Sequence, residues 1–455
     1  MSDLCSFTSL SFIFRFLPVF LILYHIVPPK AKNAVALLGS FLFYAAGEPL
    51  YVFLLLGLSV LNALLAEGSF RAASGGDGSK KRGIFILAAV ILDLLVLLAF
   101  KVLQTAKITA MPLGISFYVF KMISFQIDIL REKIVKKPGI LRSVLYFSLF
   151  PQIQQGPIMR FEDGGFFEEK HFSLKDLEEG LKIFAIGLAM KTILADRIGI
   201  LWNDLSMYGY ESISTPLSWL GAFAYSLELY LDFYGYSLMA SGILIMMGCK
   251  FIRNFDHPYA STSVSEFYRR WHMTLGFFFR DYLYIPLGGS RRGKARTVVN
   301  LLIVWLLTGL WHGNGWNFLI WGVLLGIFVV AEKLFLGKIL DKSRILGHLY
   351  VILLIPVTWV VFAIGNLRDL WTYLSRMFPF GKSAGHVDPL DFLEYIKDYG
   401  LLFLFGILLC LPVTEKLFLK YRKSAVMILL LSVLFWIGIY YAASGANNPF
   451  MYLRF

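Results

Sequence analysis

Charge is scarce in this sequence. Only 16% of its 455 residues are Asp, Glu, Lys or Arg, 58% are hydrophobic, and mean hydropathy is +0.67. A soluble domain carries about a quarter charged residues, so the shortage excludes an ordinary water-soluble protein. Cysteine is scarcer still. Cys5, Cys249 and Cys410 are scattered and show neither a disulfide framework nor metal-ligand spacing, and no metal is expected. The first apolar stretch, 11–27, lacks a small-residue cleavage site and runs into Pro28-Pro29-Lys30. It therefore reads as a retained helix, not a removed signal. A repeat of solenoid period is missing, and so is any nucleic-acid motif. Acidic residues are outnumbered 30 to 43, which gives a net charge of +13. Without a soluble basic domain, that excess belongs to basic loops on the cytoplasmic side, within reach of anionic lipid headgroups. No nucleic-acid partner is expected.

What the chain has in abundance is apolar runs. They fall near 11–27, 34–46, 49–67, 83–100, 111–130, 177–202, 215–248, 296–312, 315–336, 347–366, 400–417 and 425–443. About 20 apolar residues cross a bilayer core. The reading is an all-α polytopic membrane protein with about 11–12 crossings, in which 215–248 is long enough to be tilted or broken. Basic residues collect at 68–82, 131–137 and 291–296. If these are cytoplasmic loops, the N-terminus lies outside and the mixed loop 367–399 faces outward.

Two stretches do not read as simple spans. In 139–158, an apolar run is interrupted by Pro151, Gln152, Gln154, Gln155 and Gly156-Pro157. Irregular backbone at membrane depth must be covered by protein or water, so a re-entrant or interfacial segment is expected. In 263–289, Ser263 and Glu266 form an S-x-x-E start signal. One helix is expected to carry Arg269, Arg270, His272, Arg280 and Asp281 until Pro286 and Gly288-Gly289 end it.

The candidate chemistry gathers between Arg269 and Trp321. His312 lies sixteen residues beyond Arg296, about 24 Å along a straight helix, and an ionisable group at that depth usually lines a cavity or pathway. Gly309, Gly313 and Gly315 around it would let a substrate or another backbone come close. A histidine near its ordinary pKa of ~6.5 can exchange protons at neutrality; the competing reading is a histidine bonded to a neighbouring helix. His272 sits on a charged helix where Arg269 and Arg270 would depress its pKa, and a positioning role is favoured for it. Arg269 and Arg270 suit bidentate contact with a phosphate-bearing tail. Glu228 and Asp232, four apart, share a helix face and serve either a proton relay or as anchors to a neighbouring helix. Gln152 and Gln155 line a polar tunnel or satisfy broken backbone. Asp93 and Lys121 face the bundle interior.

The segments F-P-Q-I-Q-Q-G-P-I-M-R-F, N-F-D-H-P-Y-A-S-T-S-V-S-E-F-Y-R-R-W-H-M-T-L, F-R-D-Y-L-Y-I-P-L-G-G-S-R-R-G and L-T-G-L-W-H-G resemble the membrane-bound O-acyltransferase family, within it the bacterial polysaccharide- and peptidoglycan-acetylating members. The resemblance covers the chain from its first segments to its last, so 1–455 reads as a single transmembrane domain with a core motif block at 254–326. It implies a ring of helices around a thinned centre with a catalytic tunnel, in a bacterial cytoplasmic membrane. His312 matches the proposed catalytic histidine and His272 the second one. Trp271, Trp311, Arg269, Arg270, Asn314, Gln152, Gln155, Glu228 and Asp232 are then expected along the tunnel. It further implies an acyl thioester donor, acetyl-CoA by preference, no bound cofactor, and a second, extracytoplasmic acetyltransferase as partner. The chain departs from its relatives at Trp321-Gly322-Val323-Leu324-Leu325-Gly326, where a further histidine is usual, and at Leu231-Asp232-Phe233-Tyr234-Gly235-Tyr236-Ser237-Leu238, where an F-D-F-S-G-Y-S-D pattern is usual. A glutamine expected before the second motif is Glu228. D-alanyl transfer to teichoic acid, a transporter using the intramembrane carboxylates, and a scaffold whose histidines only pack are the alternatives. The transporter would show inverted repeats, which the sequence lacks.

Overall fold

Helices of 16 residues and more dominate the computed structural model, which describes residues 3–73, 78–163, 171–378 and 387–445 and has no strand among them. Seven helices among the described residues are long and apolar enough to cross a membrane. An eighth is added if the pair Phe392–Leu409 and Pro412–Tyr421, bent by 75°, counts as one span. Several runs counted as crossings in the sequence are built differently. The 11–27 run is a π-helical turn, Phe12–Phe16, followed by Leu17–Ile26. The 111–130 run is a 16-residue helix, Ile115–Leu130, with nearly every residue buried. The 177–202 run passes through a π segment, Met190–Ala195. The 215–248 run is neither broken nor two spans but one helix, Thr215–Met246, of 32 residues, about 48 Å long at 1.5 Å per residue.

Chain contacts divide the structure into two compact units. The first holds the described residues within Met1–Leu188, Tyr236–Arg253 and Ile439–Leu453. Here the Tyr51–Ala73 and Gly78–Thr105 helices pair, and Ile115–Leu130 packs on both. In the stretch 68–82, read as a loop, the described residues 68–73 and 78–82 are helix ends, and 74–77 lie outside the described residues. Arg71 pairs with Glu67 one turn earlier at 2.7 Å, which favours continued helix. Asp93 and Lys121 face inward as expected. Asn62 donates to Asp93 Oδ1 at 2.8 Å, Gln126 donates to the Asn62 carbonyl at 2.9 Å, and Lys121 donates to Gln152 Oε1 at 2.8 Å. The interrupted stretch forms a short helix, Ile140–Ser148, and a single turn, Phe150–Ile153, and its residues are buried from Ser143 to Ile153. It is covered by protein, as irregular backbone requires.

The second unit holds the described residues within Ala189–Gly235 and Asn254–Gly438. Its spine is the antiparallel pair Lys294–His312 and Trp316–Ala331, on which Arg344–Ala363 packs. The expected mixed loop 367–399 is partly an amphipathic helix, Leu367–Met377, started by Asn366, whose side chain accepts from the Arg368 and Asp369 N–H groups. Such a cap supplies partners for otherwise orphaned donors.

Candidate active site

The site is built from two turns of the second unit. The first is the tip of the long helical pair. Lys294–His312 runs unbroken and His312 is its last residue, so the helix delivers that ring to its far end. The chain reverses through Gly313-Asn314-Gly315 into Trp316. The glycines make room for neighbouring parts of the protein. A β-carbon on Gly309 would stand 2.5 Å from the Phe318 carbonyl oxygen and 3.3 Å from the Gly322 Cα, and one on Gly313 would meet the Phe318 ring at 2.3 Å. Gly309 and Gly322 therefore let the two helices touch and hold His312 against its neighbours. The ring is buried, 8% exposed. It meets Trp321 and Phe362 edge-on, each at 5.1 Å, and Trp311 at 4.5 Å.

The second turn carries His272. The expected single helix is instead two, Val264–Arg270 and Met273–Phe279. Between them His272 takes a left-handed backbone, φ 43°, which an L-residue adopts only when its surroundings impose it. Asn254 imposes it. Its carbonyl oxygen accepts from Met273 N at 2.8 Å, while its side-chain Oδ1 accepts from His272 Nδ1 at 3.0 Å, Thr274 Oγ1 at 2.9 Å and Thr274 N at 3.3 Å. Three donors on one amide oxygen fix the tautomer: the proton sits on Nδ1 and the lone pair on Nε2. His272 lies outside the helices long enough to cross a membrane. Burial, and not the neighbouring arginines, pushes its pKa down to about 3. Arg269 is exposed, and Arg270 is paired with Glu266 at 2.7 Å.

The Val264–Arg270 helix is held firmly. Ser263 Oγ accepts from Glu266 N at 3.0 Å, as its start signal predicts, but the Glu266 carboxylate reaches back to Thr262 N at 2.9 Å, one residue earlier than a reciprocal box requires. Glu332, from the other side, accepts from Val264 N at 2.6 Å and Ser265 N at 2.9 Å. A carboxylate on the first N–H groups of a helix is favoured by both hydrogen bonding and the helix dipole.

One aromatic wall joins the two turns. Trp321 stacks on Trp359 at 5.7 Å, Trp359 meets Trp271 at 5.1 Å, Trp271 meets Phe233 at 6.4 Å, and Phe233 meets His272 edge-on at 4.7 Å. Both histidines and Trp271 and Trp311 thus belong to one assembly, while Asn314 is exposed at the hairpin tip. The carboxylates Glu228 and Asp232 play a different part. Asp232 Oδ1 lies 2.5 Å from the buried Lys191 ammonium, which also holds Asp196 at 2.6 Å. Glu228 lies against Gly199, where a β-carbon would come 2.2 Å from its carboxylate oxygen. They tie the Thr215–Met246 helix to the run beside it, Asp232 through Lys191 in Met190–Ala195 and Glu228 against Gly199 in Asp196–Tyr208. Arg280 and Asp281 pair with each other at 2.7 Å. Gln152 and Gln155 belong to the first unit, where Gln152 accepts from Lys121 and the Gln155 amide is buried without a hydrogen-bond partner. Asn254, Lys191, Trp359 and Phe362 were not singled out in the sequence. Lys191 could have been, as the one charged residue between Ile183 and Ala195; the two aromatic residues carry no mark among so many.

The membrane-bound O-acyltransferase family model matches residues 83–366. The probable alginate O-acetylase AlgI of Pseudomonas aeruginosa is 35% identical over 397 residues, 82% of this chain and 75% of that protein. The peptidoglycan O-acetyltransferase of Helicobacter pylori is 30% identical over 445 residues, 85% and 83% of the two chains. The teichoic acid D-alanyltransferase of Bacillus subtilis is 29% identical over 236 residues, 49% of this chain and 59% of that one. The matched region takes in both histidine turns and the aromatic wall between them, and the chain belongs to the membrane-bound O-acyltransferase family.

Proposed function

We propose that this protein takes an acetyl group from a cytoplasmic thioester, acetyl-CoA, and passes it across the bacterial cytoplasmic membrane for O-acetylation of an extracytoplasmic glycan, with a second, extracytoplasmic transferase as receiver. The observation that carries the reading is the placement of His312, a buried ring at the end of a long apolar helix and on the same aromatic wall as His272. His312 acts as general base. It takes the proton of an acceptor hydroxyl as that oxygen attacks the thioester carbonyl, and the proton then goes to the departing thiolate, giving ester and free thiol. His272, held neutral with its proton on Nδ1, positions by hydrogen bonding. The names of the alginate and peptidoglycan relatives favour a glycan and acetyl. The ties of Asp232 to Lys191 and of Asp93 to Asn62 favour anchoring over ion transport.

The test is turnover of labelled acetyl-CoA by the purified protein in lipid, with and without the second transferase. Acetyl release or transfer that depends on this chain is expected, and its absence under both conditions overturns the reading. Direction is read by single cysteines in a cysteine-free background at Ser79 and Ser383, the latter outside the described residues. An impermeant maleimide on intact cells should label position 383 and spare 79.

A further inference from the structure

A cluster apart from the histidine turns offers a donor set that acyl transfer does not use. Asp256 and His257 are consecutive in the segment before the Val264–Arg270 helix, and Glu415 is in the first turn of Pro412–Tyr421, just past the 75° bend. One carboxylate oxygen from each acid and one imidazole nitrogen all lie within 4.8 Å of one another. His257 Nε2 and Glu415 Oε2 stand 2.8 Å apart. The ring is 5% exposed, and its Nδ1 has no hydrogen-bond partner. A buried imidazole with one nitrogen bonded to a carboxylate and the other bare is the arrangement of a ligand before its metal: a cation takes one nitrogen and the proton moves to the other or to solvent.

We propose that Asp256, His257 and Glu415 bind a divalent first-row cation, Zn²⁺ by the chemistry of the set. Two carboxylates and one neutral imidazole carry the charge that a dication neutralises, and mixed N,O ligation suits zinc. Ligand atoms about 2.1 Å from one ion stand roughly 3–3.5 Å apart, somewhat closer than the 4.8 Å within which these atoms lie. The site departs from the expectation that the chain holds no metal. Its role is to pin the bent helix pair to the segment that shapes the His272 turn. Asp256 N donates to the Arg270 carbonyl at 2.9 Å, and Asn254, two residues earlier, holds His272.

The experiment uses the tag-free full-length protein in lipid nanodiscs, stripped with EDTA. Zn²⁺ is titrated against a chromophoric chelator, Co²⁺ is added for its visible absorption, and melting is followed with and without Zn²⁺. Stoichiometric binding and a metal-dependent rise in Tm are expected for the native chain. Glu415→Gln, which keeps the shape and a hydrogen-bond acceptor, and His257→Ala should each bind at least about tenfold more weakly and lose the Tm response. No stoichiometric binding by the native protein, or binding unchanged in both variants, overturns the site. So does a drop in the metal-free stability of Glu415→Gln together with no metal response in the native chain, which identifies an ion pair only.

Discussion

His312 and His272 each follow a tryptophan and share one aromatic wall, yet they are held in opposite ways. His312 is positioned by backbone: a straight helix, two helices in contact at Gly309 and Gly322, and flat rings on several sides. His272 is positioned by hydrogen bonds: an Asn254 side chain that collects three donors and a backbone bent into the left-handed region. A fixed tautomer and a pKa near 3 make His272 a poor proton acceptor at neutral pH. Under the proposed function, a fixed tautomer suits a positioning group, and a ring delivered to the end of a long helix and packed among aromatic side chains suits a base.

The sharpest break in the ranking is His312→Ala. Loss of general acid–base help costs about 10²–10⁴-fold in rate, so acetyl-CoA turnover should fall at least that far while the protein stays inserted and helical by circular dichroism. His272→Ala should cost less turnover and more stability, because Asn254 Oδ1 loses one of its three donors and the turn one of its ties. A lost intramolecular hydrogen bond costs about 0.5–1.5 kcal/mol. Equal, complete losses of activity in two folded variants would erase the distinction.

Gly309→Ala probes the backbone half of the comparison. The new methyl would sit 2.5 Å from the Phe318 carbonyl oxygen and against Gly322, so the helices must part. Overpacking of this kind costs about 1–3 kcal/mol, and a misplacement of about 1 Å can cost ~10²-fold in rate. Gly276→Ala is the control. Its added β-carbon meets only the Tyr268 carbonyl oxygen at 3.7 Å, and it should keep near-native turnover. Native activity in Gly309→Ala would show that the close approach does not place His312.

How much of this was legible beforehand follows the same division. The Lys294–His312 helix and the place of its histidine at the end far from the basic cluster were readable because apolar length and a basic end are properties of one segment. The break at His272 was not. Ser263, Glu266 and the charges after them favour one continuous helix, and what stops it is Asn254, eighteen residues upstream. Lys191 escaped notice for a related reason: its partners, Asp196 and Asp232, come together only when two helices pack. The 32-residue run looked too long for one span because nothing local says that its flanks are covered by protein, as 94% of its most apolar window is.

The smallest effect sharpens the hydrogen-bonded half. His272 has a folded pKa of about 3 against an ordinary value near 6.5, and burial is the cause. A histidine depressed in the fold stays neutral there while the unfolded chain takes up a proton. Its contribution to stability is therefore complete above pH ~6.5 and is lost as pH falls from there toward 3. The limiting slope for one proton is about 1.4 kcal/mol per pH unit. Between pH 7 and 5, the melting temperature of the native protein in detergent should fall faster than that of His272→Asn, which has no such proton to gain. Carboxylates titrate in both proteins and cancel in the difference. The gap between the two should narrow on acidification. A gap that stays constant, or widens, would mean that His272 is not held neutral by burial, and the case for ranking it as a positioning residue would lose its electrostatic support.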